Sequence, residues 1–319
     1  MSDLITAYVQ LAIAVEVTVV NTFVLLIFLL KDNRTPVTIL LSALAVSDST
    51  AALLMTVPIF IANQIYDLDY RKYEHSIFFI LEFPECLVFN LSFNFKYAFH
   101  VTTILLTLLL CLQKSAALLF PMWTKQHLHQ RFSIKCSVLM FTIAICTYTR
   151  ISYVGSVKYR NFNGRCCIEN NNINHHLYTN HLTIFKVCIL LSCFLVALCT
   201  VYIICKLTVV RRNLPWTDCP VVQKRNRISA ITVVFICTIF LLSESPLIFT
   251  TFFLMLYQFK LPLLSPTERS YYDTARDNRD LSLIIGFSLN FIVYSIMSKQ
   301  LRDKLWFGAT KITRRIKCW

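Results

Sequence analysis

The chain has 319 residues, of which 56% are hydrophobic, with 25 Phe and only 4 Gly. Its mean hydropathy of +0.59 is too high for an ordinary soluble domain. The formal net charge is +14, and no linker, repeat or low-complexity tract divides the sequence. These properties exclude a soluble enzyme and a disordered chain, and they predict a single membrane domain over residues 1–319.

Seven long apolar segments follow one another along the chain. A bilayer core takes about 20 helical residues to cross, so most segments are long enough to span it. The third and sixth are longer than the core requires, which predicts tilt or projection. The seventh is short, and its helix is expected to begin in the polar run Asp277–Asp280. The segments are Gln10–Leu30, Thr38–Ile65, Phe78–Phe120, Ile134–Val157, Leu182–Leu207, Ile228–Tyr257 and Leu281–Met297.

Basic residues concentrate in alternate loops and in the tail. Nineteen Lys and Arg, against only Asp32, Asp218 and Asp303, lie in the connections after the first, third, fifth and seventh segments or at the segment ends beside them. Such residues accumulate on the cytoplasmic side, which predicts an extracellular terminus at residues 1–9 and a cytoplasmic tail at 298–319. The first segment is expected to be retained, because its positive charge follows the apolar run. The charge therefore requires no nucleic-acid partner, although it favours anionic membrane lipid.

Four short motifs occur in order on the expected sides of the membrane. They are Asn21 with Val24, then Leu44-Ala45-Val46-Ser47-Asp48, Asn290-Phe291-Ile292-Val293-Tyr294, and the amphipathic run Ser298-Lys299-Gln300-Leu301-Arg302-Asp303-Lys304-Leu305. Together they resemble the rhodopsin-like (class A) G-protein-coupled receptors over almost the full chain. The resemblance implies an all-α bundle of seven transmembrane helices at residues 10–297, followed by a short cytoplasmic amphipathic helix. It also implies a plasma-membrane receptor that binds an extracellular ligand and activates a heterotrimeric G protein.

Glu244 lies two residues before Pro246 in the sixth segment. This feature, with the later N-F-x-x-Y, is similar to invertebrate peptide receptors of the FMRFamide and myosuppressin type and to related nematode chemoreceptors. The resemblance implies a neuropeptide-like ligand, and a small molecule remains an open alternative.

Four residues of the third segment, Lys96, His100, Thr103 and Thr107, are spaced to share one helical face. By resemblance that face lines the ligand cavity, and Lys96 disfavours a cationic amine. An acidic ligand group or an internal carboxylate would suit Lys96 better. The residues expected to bind ligand are Lys96, His100, Arg150, Lys186 and Glu244.

By resemblance, His100 and Glu244 are expected to meet, either as a proton-sensitive switch or as a plain interhelical hydrogen bond. Asp48, Thr103 and Asn290 correspond to parts of the family's sodium site. Glu244 could add an oxygen there or raise the proton affinity of Asp48, and a simple hydrogen-bond hub around Asp48 is the alternative.

In the family, the Arg of a D-R-Y motif lies seven residues before a loop Pro. Counting back from Pro121 places Lys114 at that position, so Gln113-Lys114-Ser115 replaces D-R-Y. Lys is a point charge without the guanidinium fork of Arg, so altered basal activity or weak coupling is expected. By resemblance, the sixth helix pivots near Pro246, with Tyr294 nearby. The expected G-protein contacts are Lys114, Tyr202, Arg225 and Arg227.

Most of the 13 Cys lie in apolar helices or on the cytoplasmic side, where they act as small hydrophobes. The family resemblance implies one disulfide, from Cys86 to either Cys166 or Cys167. Cys318, among basic residues, is either palmitoylated or a free thiol.

Other functions find less support in the sequence. It has no H-E-x-x-H motif and no glycine-rich phosphate loop, so an enzyme is not expected. Leu281–Met297 contains no Lys for a retinal Schiff base. A seven-helix channel or transporter is the main alternative, because ionisable residues inside the segments could line an ion path; an orphan receptor with weak or constitutive coupling is another.

Overall fold

A computed structural model describes residues 2–29, 34–66, 85–154, 160–162, 165–167, 172–213, 220–260 and 279–290 of the chain. The helices are α1 (Ser2–Phe28), α2 (Pro36–Tyr66), α3 (Glu85–Leu119), α4 (Pro121–His127), α5 (Gln130–Val154), α6 (Asn172–Asn213) and α7 (Pro220–Lys260). Residues 279–290 form α8. Two strands, β1 (Arg160–Phe162) and β2 (Arg165–Cys167), pair antiparallel with Asn161 opposite Cys166.

Within the described residues, six helices are long and apolar enough to cross a membrane. Their candidate spans are Ala7–Phe28, Pro36–Ile61, Phe95–Leu119, Gln130–Thr149, Lys186–Thr208 and Ala230–Phe252. The first six predicted segments therefore each correspond to one of these helices. The seventh predicted segment is described only as far as Asn290, as the helix α8.

Helix ends differ from the predicted segments because polar residues extend the helices beyond their apolar runs. The predicted terminus at residues 1–9 lies largely inside α1, which begins at Ser2. The predicted loop Val157–His181 also contains the β-hairpin and the first ten residues of α6. Three helices begin at a proline: Pro36, Pro121 and Pro220. Proline is tolerated at the first helical position because the backbone N–H of that residue would make no intrahelical hydrogen bond.

Helix α3 lies at the centre of the arrangement, in contact with α2, α4, α5, α6 and α7. The main apolar core joins α1, α2, α3, α6 and α7 around fully buried side chains such as Leu44, Leu110 and Ile236. A second core joins α8 to α1 and α2 through residues such as Val17, Met55 and Ile284. The polar residues of α3 are therefore enclosed by helices from both halves of the chain.

Large apolar side chains cover much of the outside of the spanning helices. Leu242 is 67% exposed, Val19 is 64% exposed and Leu26 is 62% exposed. Water would disfavour so much exposed apolar surface, whereas the acyl chains of a bilayer match it. The surface thus agrees with a multi-pass membrane protein.

Candidate functional site

The four polar residues predicted to share one face of α3 are all buried. Lys96, His100, Thr103 and Thr107 are each no more than 2% exposed. The central position of α3 explains this burial, since each residue faces a neighbouring helix and not the surroundings of the bundle. Three of the four make polar contacts with other helices, and these contacts define the candidate site.

At one end of the site, Lys96 contacts a carboxylate that the sequence did not single out. Lys96 Nζ lies 3.1 Å from Asp280 Oδ2 at the start of α8, and it donates a hydrogen bond to it. Arg279 Nε also donates to Asp280, at 3.1 Å, and its Nη2 donates to the Tyr97 hydroxyl at 3.3 Å. We call Lys96, Tyr97, Arg279 and Asp280 the charged cluster. Of the two partners expected for Lys96, the internal carboxylate is therefore the one in place.

The charges within the charged cluster favour ionised Asp280. Burial by itself would raise the pKa of this carboxyl, but the nearby positive charges of Lys96 and Arg279, with their hydrogen bonds, outweigh burial and hold the pKa below its usual range. Tyr97 adds cation–π contacts, with Lys96 Nζ 5.2 Å from its ring centroid. Tyr97 in turn stacks on Tyr148 of α5. The cluster thus joins α3, α5 and α8.

About one helical turn further along α3, His100 faces Glu244 of α7. His100 Nε2 lies 3.3 Å from Glu244 Oε2, and both side chains are at most 3% exposed. The distance suits an ion pair, but the two atoms are not aligned as a hydrogen bond. The structure therefore brings together the two residues that were expected to meet, without a hydrogen bond between them.

Asp48 of α2 is fully buried and joins α3 to α8. The hydroxyl of Thr103 donates to Asp48 Oδ1 at 2.8 Å, and the Asn290 amide Nδ2 donates to Asp48 Oδ2 at 3.0 Å. Residues separated by 55 and 242 positions in the chain thus meet at one carboxylate. These are the three residues expected to form the sodium site.

Several buried polar atoms near this carboxylate have no hydrogen-bond partner among the described residues. They include both carboxylate oxygens of Glu244, both ring nitrogens of His100 and Asn290 Oδ1. Leaving such a group unsatisfied costs roughly 1–3 kcal/mol, so a ligand that supplies hydrogen bonds or positive charge would be favoured here. In the described part of the chain, no group of three or more His, Cys, Asp or Glu side chains could hold a metal ion. The oxygen-rich set around Asp48 suits a hard monovalent cation or water better than a transition metal.

Helices α7 and α8 approach each other closely beside Glu244. A Cβ atom added to Gly286 would lie only 2.4 Å from the Cβ of Ser243, so glycine is required at this crossing. One helical turn away, the Ser282 hydroxyl donates to the backbone carbonyl of Ser243 at 3.2 Å. Gly286 thus allows the close contact that brings α8 against the site.

Towards the other end of α3, Gln113 and Ser115 are buried on either side of Lys114. Tyr202 of α6 is half-buried, and its ring lies 6.0 Å from Lys206 Nζ. Between this end and His100, the thiols of Cys111 and Cys237 touch and connect α3 to α7. No hydrogen bond or ion pair between described residues joins Lys186 of α6 to Lys96 or His100.

Other predicted site residues fall outside what the structure describes. The side chains of Arg150, Arg225 and Arg227 are among them, as are Tyr294 and Cys318. The same holds for the side chains of the predicted disulfide, Cys86 with Cys166 or Cys167. Their predicted roles remain predictions.

Sequence reasoning missed Arg279, Asp280 and Tyr97 as site residues. The polar run Asp277–Asp280 was interpreted only as the start of a helix, although a carboxylate at the end of an apolar segment is also a suitable partner for the buried Lys96. For Tyr97, which directly follows Lys96, no pattern distinguished it from the many other aromatic residues of the chain.

No protein-family model matches the sequence, and no curated protein is similar to it.

Proposed function

We propose that this protein is a divergent rhodopsin-like G-protein-coupled receptor. The observation that carries the proposal is the contact of Asp48 with Thr103 and Asn290. Asp48 ends the motif Leu44-Ala45-Val46-Ser47-Asp48, and Asn290 begins the motif Asn290-Phe291-Ile292-Val293-Tyr294. Two motifs that carry the resemblance are distant in sequence, yet they meet at one buried carboxylate. If the motifs were chance matches to the family, this contact would not be expected.

The proposed architecture has seven transmembrane helices in the plasma membrane, with residues 281–297 as the seventh and Ser298–Leu305 as a cytoplasmic amphipathic helix. The amino terminus is extracellular, and the tail is cytoplasmic. The alternation of basic loops supports this orientation. The proposed disulfide from Cys86 to Cys166 or Cys167 lies on the extracellular side.

An extracellular ligand, proposed to be neuropeptide-like, binds near the charged cluster and contacts the region of Lys96, His100 and Glu244, with Arg150 and Lys186 at its edge. The Lys96–Asp280 pair supports this assignment, because Lys96 already engages the carboxylate and leaves no free carboxylate there for a cationic amine. Binding shifts the equilibrium between inactive and active arrangements only through unequal affinity for the two. In the active arrangement, α7 pivots near Pro246, with Tyr294 nearby. This movement opens the G-protein contact at Lys114, Tyr202, Arg225 and Arg227.

A sodium ion is the proposed regulatory ligand of the inactive arrangement, held by Asp48, Thr103 and Asn290. Asn290 Oδ1 and Glu244 Oε1 are buried and have no hydrogen-bond partner among the described residues, which supports the proposal because a cation would satisfy them. Sodium bound there would neutralise charge inside the bundle and stabilise the contact between α2 and α8.

The receptor function is tested with purified protein in lipid nanodiscs together with a G-protein heterotrimer. Guanine-nucleotide exchange is measured with and without a panel of short amidated peptides. We expect the receptor to accelerate exchange, either basally or with at least one peptide, and we expect Lys114→Ala to reduce this acceleration. A matched control is Lys135→Ala, which removes an exposed charge from α5.

A different result would overturn the proposal. If exchange is unaffected under all conditions while the protein conducts ions in G-protein-free membranes, the chain is a channel or transporter.

A further inference from the structure

Two cysteine thiols inside the bundle lie closer together than ordinary packing brings such atoms. The Sγ atoms of Cys111 on α3 and Cys237 on α7 are 2.8 Å apart, whereas unbonded carbon atoms, which are smaller than sulfur, pack at about 3.5–4.0 Å. The structure describes the side chains of eight cysteines, all of them free thiols. Within this set, only Cys111 and Cys237 touch each other.

A neighbouring hydroxyl orients the two thiols. The hydroxyl of Thr200 on α6 donates to the backbone carbonyl of Val196 at 2.7 Å, so its oxygen is an acceptor towards Cys111 Sγ, 3.7 Å away. Because the Cys111 S–H is directed at Thr200, the Cys237 S–H is the donor between the two sulfur atoms. The sulfur atoms therefore face each other with a single hydrogen between them.

Burial decides which reagents can reach this pair. Both thiols are 0% exposed and belong to the main apolar core. A reagent that reaches them must be small and uncharged, because burying a charge without a partner is very costly. Hydrogen peroxide meets both conditions, whereas glutathione is a charged tripeptide.

We propose that Cys111 and Cys237 are a site of oxidative modification, at which a small neutral peroxide joins α3 to α7 by a disulfide. One thiol, ionised as it reacts, attacks the O–O bond of hydrogen peroxide to give a sulfenic acid, and hydroxide leaves. The second sulfur attacks that sulfenic acid, the S–S bond forms and a second hydroxide leaves. The two hydroxides take up the two thiol protons as water, so one peroxide is reduced and two thiols are oxidised. The sulfur atoms must approach by only about 0.8 Å to reach bonding distance.

The position of this bond has a consequence that rests on the proposed function. Cys237 lies nine residues before Pro246, about 13 Å along α7, in the half of the helix that is proposed to move during activation. A covalent bond there holds α7 against α3 and keeps the G-protein contact closed. Oxidation therefore switches the receptor off.

Trypsin separates the two cysteines into peptides that each contain a single Cys. Cleavage after Lys and Arg yields residues 97–114 with Cys111 and residues 228–260 with Cys237. The full chain in phosphatidylcholine nanodiscs is treated with hydrogen peroxide, blocked with N-ethylmaleimide in denaturing detergent and digested without reduction. We expect mass spectrometry to find the two peptides linked, with the loss of both thiol hydrogens, and about tenfold more abundant than without peroxide. Dithiothreitol added before digestion should separate them.

Three variants and a second oxidant control the measurement. Cys111→Ala and Cys237→Ala should each abolish the linked peptides, and either variant is sufficient if the other does not fold. Cys146→Ala, at an exposed thiol of α5, is the matched control and should leave the linked peptides unchanged. Glutathione disulfide should produce about tenfold less of them than the same concentration of hydrogen peroxide.

Three results would overturn the proposal. The first is peroxide that oxidises Cys146 without linking the two peptides. The second is a Cys111 or Cys237 that links instead to another cysteine. The third is linking by glutathione disulfide that equals linking by peroxide, since it would mean that large charged reagents reach the pair.

Nucleotide exchange tests the consequence for signalling separately. Peroxide is removed with catalase before the G protein is added. We expect linking to reduce receptor-dependent exchange about tenfold in wild type, with no such reduction in peroxide-treated Cys237→Ala. Linked peptides with unchanged exchange would show that the bond does not restrain α7. Linked peptides in a protein that never stimulates exchange would refute the proposed function and leave the disulfide established.

Discussion

Ionisable side chains are buried inside this helical bundle. Lys96 is 1% exposed and Glu244 is not exposed at all, although a charge inside a membrane is among the most costly groups to place there. Each is within 3.3 Å of an oppositely ionisable partner on another helix. Removing one partner therefore leaves the other charge uncompensated, which is more damaging than removing both.

The Lys96–Asp280 pair gives the first prediction. We expect Asp280→Asn to lower the free energy of unfolding by about 2–3 kcal/mol, because Lys96 then remains buried beside a neutral amide. Chemical denaturation in detergent measures the loss. Combining Lys96→Met with Asp280→Asn should restore part of it. Arg279→Gln should cost only about 1 kcal/mol, because Lys96 still compensates the charge of Asp280.

Acid should weaken the same pair. The folded-state pKa of Asp280 lies below its usual range, so its stabilising contribution is present above the unfolded value of about 3.9 and is lost as the pH falls below it. The difference between wild type and Asp280→Asn should therefore shrink below about pH 4. A difference independent of pH, or a double variant whose loss equals the sum of the single losses, would contradict this account of the pair.

Sodium binding gives a second prediction for individual residues. If sodium binds at Asp48, replacing choline chloride with sodium chloride at equal ionic strength should raise the melting temperature by about 3 °C, since ligand binding to the folded state stabilises it. Asp48→Asn should abolish the rise, because the amide keeps the shape of the side chain and loses its charge. An equal rise in wild type and Asp48→Asn would show that sodium acts elsewhere. Potassium chloride serves as the control for cation identity.

At the scale of helices, the close contact between α7 and α8 depends on Gly286, which has a hydrogen where every other residue has a Cβ. Gly286→Ala would bring two Cβ atoms within 2.4 Å, so the helices must separate or distort. We expect a loss of about 2 kcal/mol, which is typical of overpacking. Thermal unfolding in detergent measures it.

A second substitution shows whether this contact is the cause. Ser243→Gly should rescue Gly286→Ala, because it removes the Cβ that clashes. Ser243→Ala should not rescue it, since that Cβ remains. Equal behaviour of the two double variants would place the effect of Gly286→Ala outside the contact with Ser243.

The sequence predicts the helices better than it predicts their ends. Six apolar segments each became a spanning helix, because the length of an apolar run directly reflects bilayer thickness. The ten residues of α6 before Leu182 were predicted as loop, since their Asn and His side chains carry no apolar signal. The β-hairpin was missed too, although Asn163-Gly164 between its strands is a common hairpin sequence.

The same distinction holds for the site. Spacing on α3 correctly predicted the buried face of Lys96, His100 and Thr103, because helical periodicity is a local property. Asp280 could not be assigned to Lys96 in this way, since their contact joins residues 184 positions apart. Such a pairing depends on how helices pack, and helix periodicity alone contains no information about it.

At the scale of the whole molecule, the number of spans determines where the termini lie. Seven spans place the termini on opposite sides of the membrane, whereas six place them on the same side. We expect an epitope at the amino terminus to be labelled on intact cells and an epitope at the carboxyl terminus only after permeabilisation. Labelling of both termini on the same side would contradict a seventh span, and a cytosolic protein with the same epitope controls for leakage.

The central position of α3 affects how variants of this protein should be compared. The charged cluster, the His100–Glu244 contact and the hydrogen bonds of Asp48 all use side chains of this one helix. A substitution on α3 that shifts the helix will disturb several of them together, so its phenotype will not reveal which site was damaged. Substitutions at Asp280, Glu244 and Asp48 act from three different helices and leave the side chains of α3 unchanged. Second-site suppressors of all three should accordingly converge on α3.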